Sequence, residues 1–415
     1  MANIREFYAP DDVKRWRNLA LAIGGVGSIV VLGTAVLLPG LSEQALRSWL
    51  LGFIVFAGIA FGCLGILILS YLTGGAWAVV SRRVLEAAAR TLPILVVLFI
   101  PLALGVYFGK VYTWTLWSHG PQSGHVMHVM DQRGWFMTPA SWILRSIFYF
   151  AVFGAMTYFL TKWSAQQDAT DNPEDSAKFL GYSVSLSGPS MVIWSVIVSF
   201  CAVDWILTLD PFFSSTIWGM LFLAGWGLSC YCFVVAVLAF LSDKAPLDRV
   251  LGKRHFHDLG KLMLALVMIW TYLNFVQYLI IWSANIPEET DWFLTRIKGG
   301  WAVIGVILIM FHFAFPFLVL LQQDFKRRAK WLASIAIFIL VLRVVDMFYF
   351  IGPSPRINTG GAEQGAFIVS WLDFVGPIAV GGIWLWWFFG ELMKRPLMPA
   401  QDPFFENAIE HGHGH

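Results

Sequence analysis

Seven polar side chains fall within otherwise apolar stretches of this chain: Asp204, Asn274, Gln277, His312, Arg343, Asp346 and Asp373. Carboxylates, an imidazole, a guanidinium and two amides at such positions suit proton transfer. Each can hold, pass or stabilise a proton, and each is costly to bury without a role. Arg343 and Asp346 are three apart and share a helix face, which equally suits an ion pair that locks helices together. Asn274 and Gln277 share a face in the same way. Asp204 lies about 8 Å inside the outer boundary, at a rise of about 1.5 Å per residue, and Asp210 before Pro211 reads as a helix stop. Asp204, Asp210, Arg343, Asp346 and Asp373 thus gather at one depth, as paired locks or as the outlet of a proton path. Asp204 is the better functional candidate and Arg343–Asp346 the better structural pair. His312 is the one histidine at membrane depth, and a lone buried histidine is more often a hydrogen-bonded core group than a relay. It cannot supply bis-histidine haem ligation.

The elements that must hold these groups are membrane helices. The chain is 58% hydrophobic and 13% charged, with mean hydropathy +0.68, which exceeds what a soluble core could hide. Ten apolar stretches are long enough to cross a bilayer: 18–38, 48–71, 91–110, 140–160, 190–209, 216–241, 258–283, 299–321, 331–350 and 368–390. Backbone amides in hydrocarbon need internal partners, so the class is all-α. Most of the 28 Lys and Arg fall on the face that carries both ends of the chain, which predicts cytoplasmic termini. The first span reads as an uncleaved anchor. The net charge of +2 carries no message, unlike the placement of the basic residues, and the expected neighbours are lipids, with no nucleic acid.

Residues 1–17 are expected to be a cytoplasmic segment, 18–390 the ten-helix domain and 391–415 a solvated tail. Residues 74–90 read as an amphipathic interfacial helix with Arg82, Arg83 and Arg90 toward headgroups. Residues 111–139 form the longest outer loop, and 351–367 are Gly- and Pro-rich. The aromatic content of 16%, including 21 Trp, exceeds what two interfacial belts need and reads as a large membrane surface plus belt residues. Cys63, Cys201, Cys230 and Cys232 read as small core residues. No catalytic set, metal set or covalent haem motif is visible, so any redox role would borrow a partner's cofactors.

Two segments resemble a known family. Residues 204–219 (DWILTLDPFFSSTIWG) and 257–290 (HDLGKLMLALVMIWTYLNFVQYLIIWSANIPEET) are similar to signatures of the ActF-type integral membrane subunit of bacterial alternative complex III, among the NrfD/polysulfide-reductase-like membrane proteins. The resemblance implies two four-helix bundles plus flanking helices, in the bacterial inner (cytoplasmic) membrane. It implies a subunit of a quinol:cytochrome c oxidoreductase without redox centres of its own. Quinone or menaquinone is its implied ligand. Its implied partners are a sister ActC-type membrane subunit, an Fe–S subunit, and c-type cytochrome subunits carrying haem c. The sister's quinol site uses a histidine and an acid in its first bundle. The first four spans expected here contain neither, and Asp204 is the group at matching depth. The expected contribution is proton conduction, quinone binding or docking of the sister chain. Alternative readings are a stand-alone secondary transporter and the membrane anchor of a molybdenum-type reductase.

Overall fold

The computed structural model describes residues 8–117, 124–245, 247–357 and 365–413. The chain is 82% helical, with no strand among the described residues, and ten helices are long and apolar enough to cross a membrane. The first half contains α1 (Asp12–Leu37), α2 (Ser42–Thr73), α3 (Ala76–Ala89), α4 (Leu92–Tyr107), α5 (Gly124–Arg133), α6 (Pro139–Asp168) and α7 (Pro173–Trp205). The second contains α8 (Trp218–Leu241), α9 (Lys253–Ala284), α10 (Pro287–Arg296), α11 (Gly299–Ile307), α12 (Phe315–Leu321), α13 (Gln323–Lys326), α14 (Ala329–Ile351), α15 (Leu372–Met393) and α16 (Phe405–His413). A π-helical turn, Leu308–Ala314, joins α11 to α12 within one span.

The helix limits follow from local chemistry. Thr138 and Asn172 each accept a backbone N–H from the first turn they precede, and each is followed by proline at the first helical position. Gly74 and Gly75, both at positive φ, end α2 and open α3. Several spans run beyond the apolar stretches: α1 begins at Asp12, α7 at Pro173 and α9 at Lys253. Hydropathy marks the lipid-facing length, whereas capping marks the helix.

Helix α2 is the axis of the molecule. It is buried along nearly all of its length and packs against α1, α3, α7, α8 and α15, so its apolar surface runs all round. Gly58, Gly62 and Gly65 let Trp226, Cys230 and Trp194 approach it closely. In the second half α8 plays a similar part, against α2, α7, α9 and α14.

Three expectations change. The tryptophans are not chiefly membrane-surface and belt residues: Trp49, Trp142, Trp205, Trp218, Trp226, Trp301 and Trp384 are among the largest fully buried side chains. Most of them donate an indole N–H to a neighbouring element, as Trp49 does to Leu98 O (2.8 Å) and Trp384 to Thr91 Oγ1 (2.8 Å). Next, the 74–90 helix exists, but its basic face turns inward. Arg82 pairs with Asp402, and Arg83 with Glu86 (2.9 Å) and Asp168, all but the last fully inside the fold. Asp402 and Asp168, distant in sequence, join Glu86 of the same helix as those partners, so the sequence pattern of α3 alone suggests an exposed face. Finally, the tail is not free: residues 400–413 lie across α3, α7 and α9, with Phe405 and Ala408 buried. Ser176 donates to Gln401 O (2.5 Å), and His411 bonds Asp258 (2.8 Å).

The start of α1, the end of α8 and the C-terminal helix lie at one end of the bundle, where Asp12 pairs with Lys244. At the opposite end, Arg47 reaches the Ser354 carbonyl (3.1 Å) and that of Pro355, and Glu43 accepts the Ile357 N–H (2.9 Å). Glu43 and Glu86 are therefore buried acids in the first four spans, where the shorter sequence boundaries left none.

Candidate functional site

The segments 204–219 and 257–290 meet at one cleft of 430 Å³ at the end remote from the chain termini. The first contributes Leu207, Thr208, Asp210, Phe213 and the stretch 214–217, and α9 contributes Gln277, Ile280 and Ile281. Arg133 of α5 and Glu289 of α10 complete the rim, and Arg133 holds the turn by donating to Pro211 O (3.1 Å). The walls are mainly apolar, with a few polar groups converging, which is the usual composition of a small-molecule site.

Gln277 is buried, and its Nε2 has no protein partner. A buried amide donor left unbonded costs about 1–3 kcal/mol, so the geometry favours a ligand or water that accepts from it. Asp210 is also buried, which pushes its carboxyl above the usual carboxylate range, while the nearby Arg296 charge opposes that rise. Burial pulls the Arg296 guanidinium down to about 9, countered first by Asp210. Arg296 in turn donates to Phe350 O (2.9 Å) and Tyr349 O (3.3 Å), closing the exposed carbonyl end of α14. It also stacks over Trp292, 3.6 Å from the ring centre.

From the cleft a polar stripe runs along α9. Trp270, Asn274 and Gln277 recur at spacings of four and three, hence on one face, over about 10 Å. Asn274 Nδ2 bonds back to Trp270 O (2.9 Å). Trp270 packs against His312, with ring centres 4.0 Å apart. His312 sits inside the π-helical turn, fully buried, and neither ring nitrogen has a protein partner. Arg343 pairs with Asp346 and donates Nε to Ser229 of α8 (3.3 Å), and its charge acts on His312. Gly225 makes room for the guanidinium: a Cβ there would stand 2.5 Å from an Arg343 terminal nitrogen.

Five of the seven sequence candidates (Asn274, Gln277, His312, Arg343 and Asp346) therefore belong to one region. The other two do not join them. Asp204 faces the other half of the molecule, where Arg145 donates Nε and Nη2 to its two oxygens (2.8 Å each) and Tyr149 donates its hydroxyl (2.6 Å). With both oxygens taken by a guanidinium and a phenol, Asp204 is a lock between α6 and α7 rather than an open proton carrier. Asp373 accepts from Gln44 (2.7 Å), Ser48 (2.6 Å) and the Ser370 N–H (2.9 Å), which ties α15 to α2.

Sequence reasoning missed Arg145, Tyr149, Trp270 and Ser229. Trp270 could have been found, being one turn from Asn274 on the same face. The others have no sequence signal, because their partners lie on different helices. Among the described residues no cluster of three or more metal-ligating side chains occurs. No family model matches this chain, and no curated protein matches it.

Proposed function

We propose that this chain is a non-redox integral membrane subunit of a quinol:cytochrome c oxidoreductase of the alternative complex III type. In this reading it sits in a bacterial inner membrane with both termini cytoplasmic. The cleft takes the head of a quinone or menaquinol: Gln277 donates to a ring oxygen, Asp210 accepts from a hydroxyl, and apolar walls hold the ring. Protons move along the α9 face through Asn274 toward His312 and Asp346. Electrons pass to Fe–S clusters and haem c on partner subunits, beside a sister membrane subunit. Helix contacts support the two-bundle reading: α2, α4, α6 and α7 group together, as do α8, α9, α12 and α14, with α1 and α15 packed at the side.

The observation that carries this proposal is the unpaired Gln277 amide in a cleft built by both signature segments. Purification from native membranes in mild detergent tests it. Partners bearing haem and Fe–S clusters should accompany the chain, and Gln277→Leu should raise the KM for quinol roughly three- to tenfold, one neutral hydrogen bond's worth. Emergence of the chain alone would favour a stand-alone transporter, and molybdenum in the partner would favour a reductase anchor. An unchanged KM would remove the cleft from the reading.

A further inference from the structure

The π-helical turn around His312 holds more unsatisfied polarity than a dry interior tolerates. Both His312 nitrogens and the Trp270 indole nitrogen lack a hydrogen bond of good geometry, and both residues are buried. Trp270 nevertheless lies close enough to Asp346 for its N–H to act on that carboxylate. Buried polar atoms in native proteins are nearly always bonded, to protein or to ordered water. A buried water needs two to four polar partners, and His312, Trp270 and Asp346 offer that number. The π-turn carries one more residue per hydrogen-bonded ring than its α-helical flanks, and such turns recur at functional sites. Arg343 cannot rotate to serve His312, since Asp346 and Ser229 already engage it.

We infer that this turn encloses bound water shared by His312, Trp270 and Asp346, and that a proton crosses the water between the Asp346 carboxyl and the His312 ring. In the forward step the carboxyl O–H breaks as the water gains that proton. The water's own O–H breaks as an N–H forms on the imidazole. The products are a carboxylate beside Arg343 and an imidazolium, with the water unchanged. Trp270 from α9 packs on the His312 ring and Arg343 from α14 acts on it; behind Arg343 stand its partners, Asp346 of the same helix and Ser229 and Cys232 of α8. With Arg343 and Asp346 both charged and His312 neutral the site carries no net charge, so one arriving proton is the only charge it must accommodate. Its use in transport rests on the proton path proposed above, but its existence does not.

Infrared difference spectroscopy on the full chain in nanodiscs, stepped in pH in H2O and D2O, tests the inference. A carboxyl C=O band and an imidazole ring band should change together with one midpoint, alongside a D2O-sensitive O–H band of bound water. Asp346→Asn should abolish the carboxyl band, and His312→Phe should abolish the ring band and move the carboxyl midpoint. Trp270→Phe, which leaves a smaller aromatic ring without an N–H, should weaken the water band and provides the readout if His312→Phe does not fold. An Asp346 midpoint indifferent to His312→Phe, or no water band in the wild type, overturns the inference. A complex that oxidises quinol without these coupled bands overturns it while leaving the proposed function intact. Coupled bands in a chain that purifies without redox partners do the reverse.

Discussion

At the scale of single residues, satisfied and unsatisfied polar groups separate structural from chemical roles. Both Asp204 oxygens are engaged, by three hydrogen bonds, and Arg145 is 21% exposed, so solvent softens the loss of the pair. Asp204→Asn is expected to lower stability by about 2 kcal/mol, with Asp204→Asn/Arg145→Gln losing less than the sum of the two single changes. Thermal melts in detergent measure this, and strict additivity would mean that the two groups do not interact. Arg343→Ala strands a fully buried Asp346 and should cost about 3–5 kcal/mol, whereas Arg343→Met/Asp346→Leu should recover most of it. The residue types that matter were legible in the sequence, since any charge within an apolar span attracts attention. Their partners were not: Arg145 and Asp204 lie 59 residues apart, and Ser48 and Asp373 lie 325 apart. Only contacts within one helix, such as Arg343 with Asp346, could be read from spacing.

At the scale of elements, the existence of the ten long helices follows from hydropathy, and their true starts follow from caps such as Thr138–Pro139 and Asn172–Pro173. What hydropathy hides is which helix is central. Helix α3 has the pattern of a surface helix yet is buried, because Glu86, Ser164, Asp168 and Asp402 converge on its arginines. The tryptophans were misread for a related reason, since composition counts rings without telling whether an indole N–H finds a carbonyl inside. Close approach can be tested by substituting glycines. A Cβ at Gly24 of α1 would stand 2.4 Å from the backbone nitrogen of Ile383 on α15, whereas Gly25 has nothing within 4 Å. Gly24→Leu should therefore part α1 from α15 and expose it to limited proteolysis, while Gly25→Leu should behave as wild type. Equal protease resistance of the two variants would show that α1 does not cross α15 at this point.

At the scale of the whole molecule, the C-terminal stretch ties the two halves together at one end. Asp402 neutralises Arg82 on α3, Gln401 meets Asp171 and Ser176 before and within α7, and Ala408 O receives His255 Nε2 of α9 (2.9 Å). The fit is close: a Cβ on Gly252 would stand 1.9 Å from Gly412 O. Deleting residues 400–415 leaves Arg82 buried without its acid and should cost about 3–5 kcal/mol, read as a lower melting temperature. Arg82→Met in the shortened chain should restore part of that loss, and no effect of the deletion would show that Asp402 is solvated. The histidine-rich end looked like a solvated tail in the sequence because its docking surface is built from helices far upstream. This arrangement bears on biogenesis. Arg82 is inserted early, yet the carboxylate that neutralises it is synthesised 320 positions later. Prematurely terminated chains thus carry an uncompensated cation in their interior, which gives membrane quality control a physical mark by which to tell unfinished copies from complete ones.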